Sequence, residues 1–197
     1  LIGGNAFVLK PSEQVPLSAI RLAELFDQAG LPKGVFNLVH GGAPVVEALC
    51  DHPGIQALAF VGSTRVAKLV YGRACSTGKS ALCLGGAKNH LIVVPDADVE
   101  LSADNIVASF TGCSGQRCMA AATLIAVGDI EPIIRAITER AAKLMPGIDH
   151  GAITSAASVE RIRGFIDDAE QRGAKVLVDG RPKQGDPGGF WMGATVL

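Results

Sequence analysis

Apolar and polar positions follow two rhythms along this chain. Short apolar runs of strand length alternate with longer stretches whose apolar residues recur three and four apart, the spacing of one helix face. The pattern predicts a strand over 5–10 and a helix over 17–29, with Leu22, Leu25, Phe26 and Ala29 on one face, then a strand over 35–40. A short helix over 43–50, a strand over 57–61 and a helix over 65–75 follow. Two more strands are expected at 81–84 and 91–94, and these, like 5–10, read as buried. A helix over 99–110 runs into a glycine-rich turn at 112–115 and a strand at 123–127. Helices over 131–144 and 155–172, a strand at 175–178, a Gly/Pro-rich loop over 179–189 and the start of a strand at 195–196 complete the pattern. Helix stops are visible where Gly30 and Pro32, and later Asp51-His52-Pro53, interrupt the periodicity. Such alternation is the signature of α/β architecture. The rhythm changes across 85–89, which divides the chain into portions 1–84 and 85–197.

Composition narrows the function classes. At 197 residues and 48% hydrophobic, the chain can bury the core of one ordinary domain or two small ones. Eighteen basic against 19 acidic side chains leave a net charge of -1, which argues against a duplex-binding protein, usually marked by a basic excess or stripe, and no nucleic-acid partner is expected. No apolar run approaches the roughly 20 residues needed to span a bilayer. Five cysteines without a CxxC pair offer neither a disulfide framework nor a zinc site, and they suit a reducing, cytoplasmic setting. No signal or transit features are present. The chain opens at Leu1 without a methionine and stops at Leu197 just after an apolar run, so both ends are expected to be cuts.

Four places carry candidate chemistry. At Gly62-Ser63-Thr64 a strand turns into a helix; Gly62 permits the sharp turn and a hydroxyl can cap the helix. Such a helix start either binds a phosphate at its free N–H groups or is simply a capped end. Lys10 and Glu13, in Lys10-Pro11-Ser12-Glu13, sit where open α/β sheets bind nucleotides, although such pairs are also common on solvated surfaces. A Glu there can accept hydrogen bonds from a ribose diol and would repel a 2′-phosphate. Thr77-Gly78-Lys79-Ser80 looks like the end of a P-loop but fails it: Gly72 and Gly78 enclose five residues where the motif needs four, and a helix precedes it. Cys118 follows the glycine-rich turn and has Arg117 beside it, which places a positive charge next to the thiol. It is read either as a nucleophile or as a small buried hydrophobe. Cys50, Cys75, Cys83 and Cys113 read as structural. No pair of the four histidines has metal-ligand spacing, so no metal site is expected.

In order along the chain, Lys10-Pro11-Ser12-Glu13, Ala29-Gly30-Leu31-Pro32, Gly34-Val35-Phe36-Asn37, Phe60-Val61-Gly62-Ser63-Thr64 and Gly115-Gln116-Arg117-Cys118 resemble the aldehyde dehydrogenase superfamily. The resemblance implies a Rossmann-like NAD-binding portion followed by an α/β catalytic portion, both incomplete. It implies that Lys10 and Glu13 hold the adenosine ribose, that Gly62 and Ser63 lie by the pyrophosphate and that Val66 helps line the adenine pocket. Glu13 suits NAD better than NADP. Cys118 corresponds to the nucleophile that attacks an aldehyde and ends as a thioester.

One departure is informative. Where most hydrolytic members carry the Glu that activates water, this chain has Leu84, and no carboxylate lies between Lys79 and Asp96. The thioester then needs another acceptor, and a thiol such as coenzyme A requires less base assistance. Gly86-Ala87-Lys88-Asn89-His90 with Gly115-Gln116-Arg117-Cys118-Met119-Ala120 is similar to the CoA-acylating methylmalonate- or malonate-semialdehyde dehydrogenases, whose acyl group loses CO2. Cys83-Leu84-Gly85 is less typical of them. A carboxylated substrate would suit Arg117 as its cation, the other role for Arg117 being a structural ion pair. A hydrolytic dehydrogenase and a catalytically silent relative are the alternatives. The resemblance further implies a small-molecule semialdehyde substrate, a homo-oligomeric parent protein, and active-site partners outside these residues. The chain alone is therefore expected to bind NAD weakly and not to turn over.

Overall fold

A computed structural model describes residues 1–183 and 185–197. They form two units, Leu1–Gly86 and Ala87–Leu197. The first contains two parallel crossovers. Strand β1 (Phe7–Leu9) leads through α1 (Leu17–Gln28) to β2 (Phe36–Leu38), with Phe7 opposite Phe36 and Leu9 opposite Leu38. Helix α2 (Ala43–Asp51) carries the chain to β3 (Ala57–Val61), and α3 (Thr64–Ser76) returns it as β4 (Ser80–Leu84). Ala57 lies opposite Ser80 and Val61 opposite Leu84. Parallel strands cannot be joined by a hairpin, so each pair needs its helical return. The class is α/β.

The helix stops follow from local chemistry. Beyond α3, Gly78 adopts φ +72°, its N–H reaches the carbonyl of Cys75, and the N–H of Lys79 reaches that of Ala74. This is the Schellman closure that a residue without Cβ allows. It explains the P-loop look-alike: Thr77-Gly78-Lys79-Ser80 is a helix end running into a strand, the reverse of a phosphate loop. The end of α1 closes in the same way at Gly30.

In the second unit, β5 (Asn89–Val93) and β6 (Ala121–Ala126) are parallel, joined through α4 (Val99–Thr111) and a 3-10 turn, Gly112–Gly115. Asn89 faces Ala121 but His90 faces Thr123, so the ladder carries a bulge at its start. Helix α5 (Glu131–Lys143) packs on α4 through a core that includes Val93, Ile106, Val107, Ile133 and Ile137. Arg140 fastens the same pair from outside, its Nε 2.6 Å from Asp104, with Glu100 on its other face. Helix α6 (Ala156–Gln171) builds a second cluster with Ile153, Val159, Ile166 and Met192.

Three expectations need correction. The strands over 5–10, 81–84 and 91–94 are not buried throughout: Leu82, Leu84 and Ile92 are exposed, because β4 and β5 each pack on one face, and in β1 the consecutive Phe7 and Val8, on opposite faces, are both exposed. The first of them is also only three residues long, since Asn5 and Ala6 meet no partner strand. The strands at 175–178 and 195–196 reduce to one antiparallel bridge between Val178 and Val196, with the Leu177 N–H also donating to the Val196 carbonyl at 2.8 Å. The loop over 179–189 includes position 184, which lies outside the described residues. Among those residues no helix is long and apolar enough to cross a membrane, and no cluster of His, Cys, Asp and Glu is placed to hold a metal ion.

Candidate active site

The first unit gathers its candidate groups at two places. Lys10 follows β1 directly, and its Nζ donates to the Gly41 carbonyl at 2.6 Å and to the Glu13 carboxylate at 3.1 Å. The lysine side chain is 14% exposed and that of Glu13 63%, so the stem is packed while the carboxylate stands in solvent. A hydrogen bond from the Glu13 backbone, and then Lys10, hold the Glu13 carboxyl below the usual carboxylate range. The anionic, accepting form needed for a diol is thus the favoured one.

The second place is the start of α3. Ser63 caps it, its Oγ accepting from the N–H of Val66 at 3.4 Å. The N–H groups of Thr64 and Arg65 have no protein acceptor among the described residues. Together with the helix dipole they can receive an anionic phosphate. Gly62 is needed for packing as well as turning: a Cβ there would meet the Phe60 ring at 2.6 Å. Composition did not reveal the role of Gly85 and Gly86. They cross the start of α3, with the N–H of Gly86 donating to Thr64 Oγ1 at 2.9 Å, and a Cβ on Gly85 would meet Thr64 Cα at 3.1 Å. Adjacent glycines after a strand were the available signal. No hydrogen bond or ion pair among the described residues joins Lys10 or Glu13 to Gly62, Ser63 or Val66. The residues nonetheless fit a dinucleotide by type: an accepting carboxylate, a cation, free helix N–H groups and a glycine that allows close approach. An apolar hollow of about 330 Å³ between Val8, Val39, Val45, Leu49 and Ile55 contains none of them.

The second unit presents Cys118. Residues Arg117 to Ala120 form a turn closed by the Ala120 N–H on the Arg117 carbonyl at 3.1 Å, with Cys118 and Met119 at its exposed centre. Cys118 is therefore not a buried small hydrophobe, and its own N–H has no acceptor among the described residues. The side chain of Asn89 grips the turn: its Nδ2 donates to the Cys118 carbonyl at 2.7 Å and the Ala120 carbonyl at 3.0 Å. Just upstream, Cys113 and Ser114 sit in the left-handed region at φ 52° and 54°. Non-glycine residues there cost roughly 1–2 kcal/mol each. The compensating bonds are local: Ser114 Oγ donates to the Gly151 carbonyl and accepts from His150 Nδ1 at 3.0 Å. Gln116 spans the gap with Nε2 on the carbonyls of Cys113 and Ala152 and Oε1 accepting from the Thr154 N–H. None of Asn89, Ser114, Gln116 or His150 stood out in the sequence by function, because each acts through a partner roughly thirty or more positions away.

Arg117 forms no ion pair among the described residues, so the structural alternative finds no partner there. Its guanidinium instead lies in the space that a side chain on Gly112 would fill. The other thiols divide. Burial pushes the Cys50 and Cys83 thiols up, disfavouring thiolate, as suits structural cysteines. Cys75 and Cys113 are exposed, which corrects their reading as structural by surroundings alone.

The family model described as the aldehyde dehydrogenase family matches residues 1–197. A malonate-semialdehyde dehydrogenase of Geobacillus kaustophilus is 43% identical over 204 residues, covering 100% of this chain and 42% of the relative. A probable methylmalonate-semialdehyde/malonate-semialdehyde dehydrogenase of Drosophila pseudoobscura pseudoobscura, described as acylating and mitochondrial, is 42% identical over 98% of this chain and 39% of its own. A crystal structure from Sinorhizobium meliloti 1021, of a protein assigned as a methylmalonate-semialdehyde dehydrogenase and complexed with NAD, superposes with a TM-score of 0.91 at 41% identity, over 98% of this chain and 41% of that one. The chain thus spans about two-fifths of the length of the relatives it matches. The chain belongs to the aldehyde dehydrogenase family.

Proposed function

We propose that these residues serve the NAD-dependent oxidation of a carboxylated semialdehyde, malonate or methylmalonate semialdehyde, with the acyl group passed to coenzyme A and CO2 lost. The observation that carries the reading is the turn around Cys118: an exposed thiol, with a backbone N–H and the cation of Arg117 one residue away that have no hydrogen-bond acceptor and no ion-pair partner, respectively, among the described residues. The thiolate of Cys118 adds to the aldehyde carbon, forming an S–C bond and an alkoxide that its own N–H stabilises. Oxidation of that carbon leaves a thioester on Cys118, and Arg117 holds the substrate carboxylate during both steps. The bond between the substrate carboxylate and the carbon next to the thioester then breaks, CO2 leaves, and the resulting enolate takes a proton from water; the thiolate of coenzyme A attacks the thioester carbonyl and expels the Cys118 thiolate.

NAD, when bound, supplies the hydride acceptor. Lys10 and Glu13 would hold its adenosine ribose, Gly62, Ser63 and the free N–H groups of α3 its pyrophosphate, and Val66 its adenine. The choice of a thiol acceptor rests on β4 ending in Leu84, in a stretch from Ser80 to Pro95 that has no carboxylate to activate water. The test is NADH formation by the full-length protein on malonate and methylmalonate semialdehyde, with and without coenzyme A. Turnover that depends on coenzyme A and disappears in Cys118→Ala is expected. Full-rate acid production without coenzyme A would overturn the acyl-transfer step, and full activity in Cys118→Ala would overturn the nucleophile.

A further inference from the structure

We propose that Asn89 is the positioning residue of the nucleophile, the group that fixes how Cys118 presents its thiol and N–H; the inference rests on Cys118 acting as proposed above. Asn89 is the first residue of β5, directly at the bulge where the ladder with β6 shifts register. Past that point no main-chain bond from β5 reaches residues 118–120 among the described residues. The side-chain amide takes over the task. Its single NH2 group donates to two carbonyls, Cys118 at 2.7 Å and Ala120 at 3.0 Å, and so continues the ladder into the turn. Holding the Cys118 carbonyl fixes the peptide plane that follows the thiol. Holding the Ala120 carbonyl fixes the far side of the same turn, whose closing bond runs from Ala120 to Arg117. On the upstream side, Ser114 and Gln116 tie the strained turn to residues 150–154. Between these two anchorages the segment 117–119 has no other side-chain hydrogen bond among the described residues, so the orientation of Cys118 toward a substrate depends on Asn89.

An amide is required here for a chemical reason. Both partners are carbonyl oxygens, so the residue must donate twice from one atom. Asp has the same shape but, ionised, only accepts, and would set its oxygen against two carbonyls. Ser keeps one donor at shorter reach, and Ala keeps none. Misplacement of a reacting group by about 1 Å costs on the order of a hundredfold in rate, which sets the scale of the expected effect.

The experiment compares Asn89→Ala, Asn89→Asp and Asn89→Ser with wild type and Cys118→Ala in the full-length protein. It measures kcat/KM for the semialdehyde, the Kd for NAD, thermal stability and site-resolved iodoacetamide labelling of Cys118 against Cys75. The expected result is a fall in kcat/KM of roughly ten- to a hundredfold in Asn89→Ala, a larger fall in Asn89→Asp and a smaller one in Asn89→Ser. NAD binding and Cys118 labelling should stay near wild type, since the thiol remains intact and exposed. The activity of Asn89→Asp relative to wild type should rise as pH is lowered, because the protonated acid regains a donor. A merely structural residue would not give that profile. Wild-type kcat/KM in Asn89→Ala and Asn89→Asp overturns the proposal. So does loss of fold in all three variants, seen as loss of the thermal transition with labelling of the buried Cys50, which would make Asn89 a support of the sheet. Full activity in Cys118→Ala is the separate failure, of the nucleophile reading and not of the Asn89 geometry.

Discussion

The cation next to Cys118 owes its orientation to a residue with no side chain. The Arg117 guanidinium occupies the space beside Gly112, and the flexible end of the arginine would have to move if a Cβ were added there. If Arg117 holds a substrate carboxylate, Arg117→Leu removes a charge-assisted bond worth about 1.5–3 kcal/mol. That corresponds to a rise in KM of roughly ten- to a hundredfold for carboxylated semialdehydes, with a much smaller rise for unsubstituted aldehydes. Gly112→Ala should shift the same ratio in the same direction by less. Steady-state kinetics on paired substrates measures both, and equal effects on the two classes would refute carboxylate recognition. Cys118 and Arg117 were legible in the sequence because their signal is local, a glycine-rich turn followed by a cation and a thiol. Asn89 was not: an asparagine between a lysine and a histidine carries no mark of the two carbonyls that it meets 29 and 31 positions later.

Three helix starts among the described residues carry a side-chain cap, at Ser63, Asp98 and Ser155, and the first two make a comparison. Ser63 caps α3 through the Val66 N–H, and Asp98 caps α4 through the Leu101 N–H at 2.8 Å. Replacing either with Ala should cost about 1 kcal/mol of stability. Only Ser63→Ala should also weaken NAD binding, because it alters the helix end proposed to receive the pyrophosphate. Urea unfolding with NAD titration in the full-length protein separates the two. Equal NAD affinities in Ser63→Ala and Asp98→Ala would remove the start of α3 from the binding site. The helices were readable because their periodicity and glycine stops lie within a few residues of one another, as at Gly30 and Gly78. The strands were located but their burial was misjudged. An apolar run such as Ser80–Leu84 does not say how many neighbours its sheet has, and Leu82 and Leu84 face outward because the sheet packs on one side.

Each unit carries its own acid-sensitive ion pairs, whereas the alkali-sensitive thiols lie in the first. In that unit Arg73 of α3 clasps Asp51 and Glu47 of α2, and in the second Arg181 ties Asp179 to Asp167 and Glu170 of α6. Hydrogen bonds from these arginines hold the Asp51 and Asp179 carboxyls below their ordinary range. A carboxylate with a depressed folded-state pKa stabilises above its unfolded value, and the benefit disappears as pH falls through the folded one. Both units should therefore weaken below about pH 4. Cys50 and Cys83 behave oppositely. Burial raises their folded-state pKa values, so their contribution is complete below the unfolded thiol value and is lost as pH rises through the folded one. Alkaline weakening should begin above about pH 8.5, and in the first unit. The sole tryptophan, Trp191, belongs to the second, where its Nε1 donates to the Asp186 carbonyl at 2.7 Å. With the 197-residue chain in urea, raising the pH should lower the midpoint for helix loss by circular dichroism before it moves the midpoint for Trp191 fluorescence. Lowering the pH should move both. Cys50→Ala should flatten the alkaline limb and leave the acid limb in place. A tryptophan signal that leads the helix signal on the alkaline side would show that the second unit holds the weaker alkaline link, against the placement of these thiols.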